Sequence, residues 1–407
     1  MDWRRNLRVM WWTQLFAVSG MALVLPFLPL LVRSLGVADD ASVQRWSGAI
    51  FSAPFLFAAL MTPVWGWVGD RFGRKPMVVR ALLGLSLALF LMSFARSPLQ
   101  LLVLRALQGT VSGFIPAAIA LVSAGAPREK QGYALGMLSS AQAGGIVAGP
   151  LAGGVLADLI GYRGLFYVTA AVELLAAIAV VLFVKEAPPP RDARRRASLR
   201  GSLRFVLRAP IPVVLLGLFF TQMSLLIVQP FFALFVESLG AEPGRLSSTT
   251  GVLFGVTGLT MFLAAPSWGK LSDRVGRRRA LLVAFLGGSV VFLLQGMATR
   301  VLDLVVLRLA QGIFAAGMLP ALYAIVAHCT PERRRGSVMG LGSSATLLGG
   351  LTGPLMGGLL AAHLGMRAVF FVSTLLFAAN ALNALRLPAD REPRVPRARR
   401  SWELPAQ

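Results

Sequence analysis

The chain has 407 residues, 56% of them hydrophobic and only 14% charged, with a mean hydropathy of +0.71. A water-soluble protein of this length cannot bury that much apolar surface, and repeated runs of roughly 20 apolar residues specify a polytopic helical membrane protein. Such runs are too long, and lack the period-two alternation, for an outer-membrane barrel.

In chain order the apolar runs predict about twelve helical spans, at roughly 8–33, 44–67, 77–95, 98–124, 132–158, 163–184, 211–237, 246–268, 280–298, 302–328, 336–361 and 367–386. The net charge of +23 would suggest nucleic acid in a soluble chain. Here about 31 of the 40 Lys and Arg lie in the termini and in every second loop, as the positive-inside rule requires. The charge therefore reads as orientation and as contact with anionic lipid headgroups, with no nucleic-acid partner expected. Both termini are expected in the cytoplasm, and the chain in a cell inner membrane as a multi-pass protein. Met1 to Arg8 is basic and runs into the first apolar segment without a small-residue cleavage site, so a retained span is expected. Cys329 is the only cysteine, which excludes an intrachain disulfide.

A charged turn occurs twice, each time between two apolar runs. Gly66-Trp67-Val68-Gly69-Asp70-Arg71-Phe72-Gly73-Arg74-Lys75 recurs as Gly269-Lys270-Leu271-Ser272-Asp273-Arg274-Val275-Gly276-Arg277-Arg278, 203 positions later (273 − 70). Arg105-Ala106-Leu107-Gln108-Gly109 recurs as Arg308-Leu309-Ala310-Gln311-Gly312, and Gly149-Pro150 as Gly353-Pro354. Two halves of six spans in the same orientation follow, related by an axis along the membrane normal. Residues 1–184 form the N-terminal half, 185–210 a cytoplasmic basic linker, 211–386 the C-terminal half and 387–407 a cytoplasmic tail. In the linker Arg196, Arg200, Arg204 and Arg208 fall four apart beside Leu199, Leu203 and Leu207. That spacing predicts a short amphipathic helix on the inner leaflet, the alternative being a disordered basic linker.

These paired motifs resemble those of the major facilitator superfamily over nearly the whole chain. The resemblance implies an all-α fold of two six-helix bundles around a central cavity, working by rocking alternating access. In the charged turn it implies a latch between the halves that favours the outward-open state, formed by Gly66, Asp70, Arg71, Gly73, Arg74 and Lys75 and by Gly269, Asp273, Arg274, Gly276 and Arg277. A carboxylate at such a turn gains from the N–H groups of a nearby helix start. Asp70 is expected to face the start of the eleventh span, around Gly336, and Asp273 the start of the fifth, near Gly132. The alternative is that the turn only fixes topology through Arg74 and Lys75.

The fifth span carries Gly145, Gly149, Pro150, Gly153 and Gly154, and the eleventh carries Gly349, Gly353, Pro354, Gly357 and Gly358. This pattern is similar to the antiporter signature of the superfamily's twelve-span drug/proton exchangers; the alternative is generic close packing by small residues. Further segments shared with those antiporters are Trp3-Arg4-Arg5-Asn6-Leu7, Pro26-Phe27-Leu28-Pro29-Leu30, Trp46-Ser47-Gly48, Phe51-Ser52 and Phe55-Leu56-Phe57. The implied function is proton-coupled efflux of small lipophilic or amphipathic drugs. The alternatives are transport of one endogenous metabolite, such as a sugar or organic anion, and lipid translocation.

Spans 1, 4, 7 and 10, with help from 2, 5, 8 and 11, line the cavity in that fold. They offer Gln14, Phe16, Phe27, Phe55, Phe114, Met137, Gln222, Met223, Gln229, Phe231, Phe232, Phe254, Met318 and Tyr323 as substrate contacts. Phe and Met supply adaptable apolar area, and Gln a few hydrogen bonds; packing or lipid contact is the alternative for each taken singly. Charges inside spans are costly and usually functional or paired. Arg105 and Arg308 lie several residues into their spans; the resemblance links the first-half arginine to proton transfer, the alternative being a structural arginine bonded to carbonyls. Glu173, Glu237 and Asp303 are the further proton-coupling candidates, the alternatives being a protonated, silent Glu173 and interfacial positions for Glu237 and Asp303 near the outer ends of spans 7 and 10. The first span has no carboxylate from Val9 to Val32, where many drug antiporters keep one. Glu173 is the one acid near mid-membrane. No Walker-type phosphate loop and no metal-ligand spacing is present. No enzyme activity, metal or cofactor is expected, the proton gradient being the energy source, and the resemblance implies a monomer.

Overall fold

The computed structural model describes residues 3–186 and 210–387, without the side chains of Asp70, Arg128, Pro243 and 332–337. The expected linker helix and the tail after Leu387 lie outside the described residues. Among the described residues eleven helices are long and apolar enough to cross a membrane. One of them, Gln131–Phe183, is two helices joined at Gly161, whose φ of 72° breaks the helical run. Twelve spans result: α1 (Trp3–Ser34), α2 (Asp40–Phe72), α3 (Arg74–Met92), α4 (Pro98–Gly125), α5 and α6 (131–160 and 162–183), α7 (Ile211–Ser238), α8 (Leu246–Val275), α9 (Arg277–Met297), α10 (Val301–Cys329), α11 (Glu332–Leu364) and α12 (Met366–Ala384).

Several helices run past their apolar stretches, because polar ends remain helical once capped. α2 starts at Asp40 rather than near 44, where the Asp39 carboxylate accepts from the Ser42 amide at 2.8 Å. Hydrogen bonding to Ser42, through its side chain and then its amide, holds the exposed Asp39 carboxyl below its usual range. α4 departs from a continuous span. It breaks at 111–113, with Gly113 at φ 106°, and Arg80 of α3 donates to the freed Val111 and Ser112 carbonyls while lying 3.6 Å from the Trp65 ring.

The duplication is visible atom by atom. The Trp65 indole donates to Thr110 O, and Trp268 donates to Ile313 O. The Ser86 hydroxyl donates to Ala170 O, and Ser289 donates to Thr374 O. Gly36 and Gly240, Gly73 and Gly276, and Gly161 and Gly365 pair as left-handed turn residues at equivalent places in the two halves. The same physical solution, a span ended by a residue without a Cβ, is used twice.

Glycines bring the spans together. Along α5, an added Cβ on Gly145 or Gly149 would meet the backbone oxygens of Leu15 or Ser19 at 2.8 and 2.5 Å, and Gly153 lies equally close to Leu23. Gly349, Gly353 and Gly357 repeat this against Phe219, Met223 and Ile227 of α7. Other glycines face the opposite half. Gly154 touches Ser247 of α8, Gly251 touches Pro150, and Gly48 of α2 touches Pro354 and Gly358 of α11. Without a hydrophobic drive between helices in lipid, such backbone contact supplies the association.

Among the described residues the polar contacts between the bundles lie at one end. There Arg33 at the end of α1 donates to Glu237 of α7 at 2.7 Å and to Asp40 at 3.0 Å. The Asp158 carboxylate of α5 accepts from the amide and hydroxyl of Ser248 in α8, and Tyr162 lies 3.3 Å from the Ser247 hydroxyl. From this sealed end the seam continues to Phe55 against Gly350 and Val147 against Gly258. Toward the charged turns an added Cβ on Gly66, Gly132, Gly269 or Gly340 would meet nothing within 4 Å.

Gly154→Leu should wedge α5 from α8 and weaken the seal by about 1–3 kcal/mol, shifting the closed-end population on the order of tenfold or more. Spin labels at Ala38→Cys and Ala241→Cys, in a Cys329→Ser background, report it as a longer distance; an unchanged distribution would sink the idea. Arg33→Glu should loosen the same end, and adding Glu237→Arg should restore it. The coupling is limited to about 1 kcal/mol because both side chains are over a third exposed.

Candidate functional site

The charged turn is built by Gly73, which ends α2 at φ 98° and begins α3. Its cations are tied down within their own half. Arg74 donates to Ala120 O of α4 at 3.0 Å, Lys75 donates to Val181 O of α6 at 2.9 Å, and Arg71 lies against the rings of Trp67 and Phe72. Glu186, which the sequence reading passed over, accepts from the Arg74 and Lys75 amides at 2.8 Å each. It caps the start of α3 and fastens the end of α6 to the turn. Its signal in the sequence was weak, an acid just before a proline run. Gly276 repeats the turn at φ 92°, while Asp273 and Arg274 are exposed. The Asp70 side chain lies outside the described residues. At Gly132, expected to receive Asp273, an added Cβ would meet nothing within 4 Å.

The five coupling candidates separate into different environments. Asp303 accepts from the Thr299 and Arg300 amides at 3.1 and 2.9 Å. It closes the capping box at the start of α10. Glu237 is the partner of Arg33 in the seal. These two residues are 204 positions apart, so they occupy equivalent places in the halves and meet with opposite charge. That complementarity was present in the sequence but became meaningful only once the two ends were brought together.

Arg105 is buried and donates to Ile50 O at 3.3 Å and to Gln108 Oε1 at 2.5 Å. Its repeat mate Arg308 is arranged differently. Gln311, the equivalent of Gln108, accepts from Gln295. The Arg308 guanidinium instead lies 3.5 Å from the Phe232 ring and 5.1 Å from Phe254, and its Nε and Nη2 have no hydrogen-bond partner among the described residues. Cation–π contact replaces hydrogen bonding. Glu173 of α6 is fully buried, and neither carboxylate oxygen has a partner among the described residues. It faces α1, since an added Cβ on Gly20 would lie 3.5 Å from Glu173 Oε1 and 2.9 Å from Thr169. Glu173, the only buried carboxylate among the described residues, thus lies against the span that has none from Val9 to Val32.

The structure divides the substrate candidates. Phe55 packs on Gly350 across the seam, Gln222 on Gly349, and the Gln229–Phe231 turn on α2 of the opposite half. Tyr323 lies 3.2 Å from the Thr346 hydroxyl. Phe27, Phe114, Met223, Phe231, Phe232 and Met318 are core residues. Phe27 stacks on Tyr162, Phe231 lies edge-on to Phe370, and Met318 fills the space beside Gly288. Gln14 is buried as well. In this conformation these seven present no surface to a cavity; apolar pattern does not separate a packed face from a lining face when lipid, core and cavity wall are all apolar. Phe16 is exposed and stacked on Trp12, and Met137 lines a side recess with Arg4, Arg8 and Trp11.

The profile of the Major Facilitator Superfamily matches residues 10–258 and 214–406. The chain is 36% identical to Multidrug resistance protein MdtG of Escherichia fergusonii over 401 residues, 97% of each chain. It is 37% identical to MdtG of Proteus mirabilis, covering 91% of this chain and 92% of that one. Among solved structures it is similar to a bacterial homolog of the human lysosomal transporter Spinster, with a TM-score of 0.78 at 17% identity, over 95% of this chain and 97% of that one. Twelve apolar spans in two glycine-seamed bundles, with the charged turn and the buried arginine each present twice, agree with these likenesses: the chain is a multi-pass membrane protein and belongs to the Major Facilitator Superfamily.

Proposed function

We propose that this protein is a proton-coupled exporter of small lipophilic or amphipathic compounds, of the multidrug type, acting as a monomer in the cytoplasmic membrane with both termini in the cytoplasm. The observation that carries the reading is the full-length similarity to proteins named for multidrug resistance. The Gly-Pro seams of α5 and α11 support it. With the basic end placed inside, the Arg33–Glu237 end is the outer one.

Export then requires the Arg33–Glu237 end to part and the charged turns to dock across the other end, a rocking of one bundle on the other. Phe55, Gln222, Gln229 and Tyr323 lie on or beside the surfaces that slide. They supply mixed aromatic and amide contact suited to varied apolar ligands. Glu173 is the proton carrier in this scheme. Its place against α1 lets a change in α1 packing expose it to one side or the other. Energy comes from the proton gradient, with no bound cofactor.

Purified protein in proteoliposomes should move ethidium against an imposed pH gradient, and a protonophore should abolish the movement. Folded protein that moves no dye under any gradient would refute the drug-export reading. Glu173→Gln should lose gradient-driven accumulation by about tenfold or more while keeping downhill dye exchange; full gradient-driven export by this variant would remove Glu173 from the coupling scheme. Asp70→Asn should lower the outward-open population, read as a shift in the 38–241 label distances described above, and an unchanged population would exclude the latch.

A further inference from the structure

The two bundles hold their first spans differently. In the C-terminal bundle α12 is fastened to α7 along its length. Asn383 donates to Val213 O at 2.8 Å, and Asn380 donates to Gly217 O at 3.1 Å and to the Thr221 hydroxyl at 2.8 Å. The Ser373 hydroxyl donates to Ser224 O at 2.9 Å. At the offset that carries Gly161 to Gly365 (365 − 161 = 204), the equivalent residues of α6 are Ala179, Ala176 and Thr169. The alanines have nothing to donate, and the Thr169 hydroxyl donates to Leu165 O of its own helix. Among the described residues the hydrogen-bonded tie between α1 and the end of α6 is at the start of α1. There Asn6 donates to Lys185 O at 2.7 Å and accepts from the Lys185 amide at 3.1 Å. The Trp11 bond to Ser140 of α5 lies near the same end. Both first spans share the glycine seams with α5 and α11, so the difference is on the α6 and α12 side.

We propose that α1 swings on α6 about the Asn6–Lys185 pair while α7 stays fixed on α12, and that the proton on Glu173 sets the position of α1. Glu173 stands where α12 has Phe377 (377 − 204 = 173), in the seam that lacks the α12-type bonds. The seam is in close contact, since an added Cβ on Gly20 would lie 2.9 Å from Thr169 and 3.5 Å from Glu173 Oε1. A neutral carboxyl carries one O–H donor and an ionised one carries none. α1 offers backbone carbonyls there and no ionisable side chain from Val9 to Val32. A protonated Glu173 that turns its O–H to one of those carbonyls makes the kind of bond that Asn380 makes permanently to α7. When that proton passes to water, the donor is gone and the carboxylate left behind needs solvation, so α1 parts from α6.

The other ionisable groups on the spans around Glu173 are engaged elsewhere. α3 has only Arg80 between Lys75 and Arg96, and Arg80 donates to the Val111 and Ser112 carbonyls beside the Trp65 ring. α4 has only Arg105, which donates to Ile50 O and Gln108. α5 has none between Tyr133 and Asp158. On α6 itself Tyr167 lies against Phe90 and Phe94. The proposal rests on the reading of Glu173 as the proton carrier and adds which span answers it.

The test is a pair of spin-label distances in the purified full chain, in lipid nanodiscs without substrate and in a Cys329→Ser background. Ala38→Cys with Tyr167→Cys reports α1 against α6, and Ala241→Cys with Phe371→Cys reports α7 against α12. Between about pH 5 and about pH 9 the first distance should lengthen and the second should stay the same. Glu173→Gln, which keeps a donor at every pH, should hold the first distance at its short value throughout. Ala17→Thr/Ala176→Asn copies the Thr221–Asn380 pair into the first bundle and should do likewise, with gradient-driven dye movement lowered about tenfold or more. No lengthening in the parent, equal lengthening in both pairs, lengthening that persists in Glu173→Gln, or parent-level export by the folded double variant would each overturn the proposal. If the double variant does not fold, the Glu173→Gln distances decide alone. Loss of gradient-driven export in Glu173→Gln with a still α1 in the parent would strike the swing and keep the proton carrier. A moving α1 with full gradient-driven export by Glu173→Gln would strike the carrier reading alone.

Discussion

Close backbone contact between spans is the constraint on which the rest of this structure depends. In a bilayer a leucine gains little by leaving lipid for another helix, so association rests on how near two backbones can come. Here the nearness comes from glycine at every fourth place along α5 and α11. One set of glycines nests each of these helices on its own bundle's first span, at Leu15, Ser19 and Leu23 and at Phe219, Met223 and Ile227. A second set, Gly154 and Gly358, faces the opposite bundle. The same two helices therefore hold each bundle together and face the opposite bundle.

That arrangement explains why the polar contacts between bundles gather at one end. Arg33, Glu237, Asp40, Asp158 and Ser248 lie where the seams converge. The first charged turn makes its described hydrogen bonds inside its own bundle, through Arg74, Lys75 and Glu186. An ion pair that is a third exposed, as Arg33–Glu237 is, is weak enough to break.

Duplication sets the frame, and departures from it locate the chemistry. The indole bonds of Trp65 and Trp268 and the hydroxyl bonds of Ser86 and Ser289 are the same in both bundles. The arginines are not: Arg105 is bonded to Gln108 and Ile50, whereas Arg308 sits between phenylalanine rings. Glu173 has no acidic counterpart in the second bundle, where Phe377 stands at the equivalent place. Glu173 and Arg308, whose buried polar atoms lack hydrogen-bond partners among the described residues, lie in different bundles.

The amino-acid sequence by itself determined the membrane class, the twelve spans, the twofold repeat and the motif positions. Each follows from local signals, namely apolar length, glycine at span ends and identity at a constant shift. Tertiary structure decided which of those residues do what. Phe27, Phe231 and Met318 became core, Asp303 became a helix cap, Met137 came to line a side recess, and Glu237 met Arg33. The physical reason is that a span is apolar on every face. In water, pattern reveals which side of a helix is buried; in lipid the buried, lining and lipid-facing sides carry the same residue types. Only the packing of one bundle on the other tells them apart.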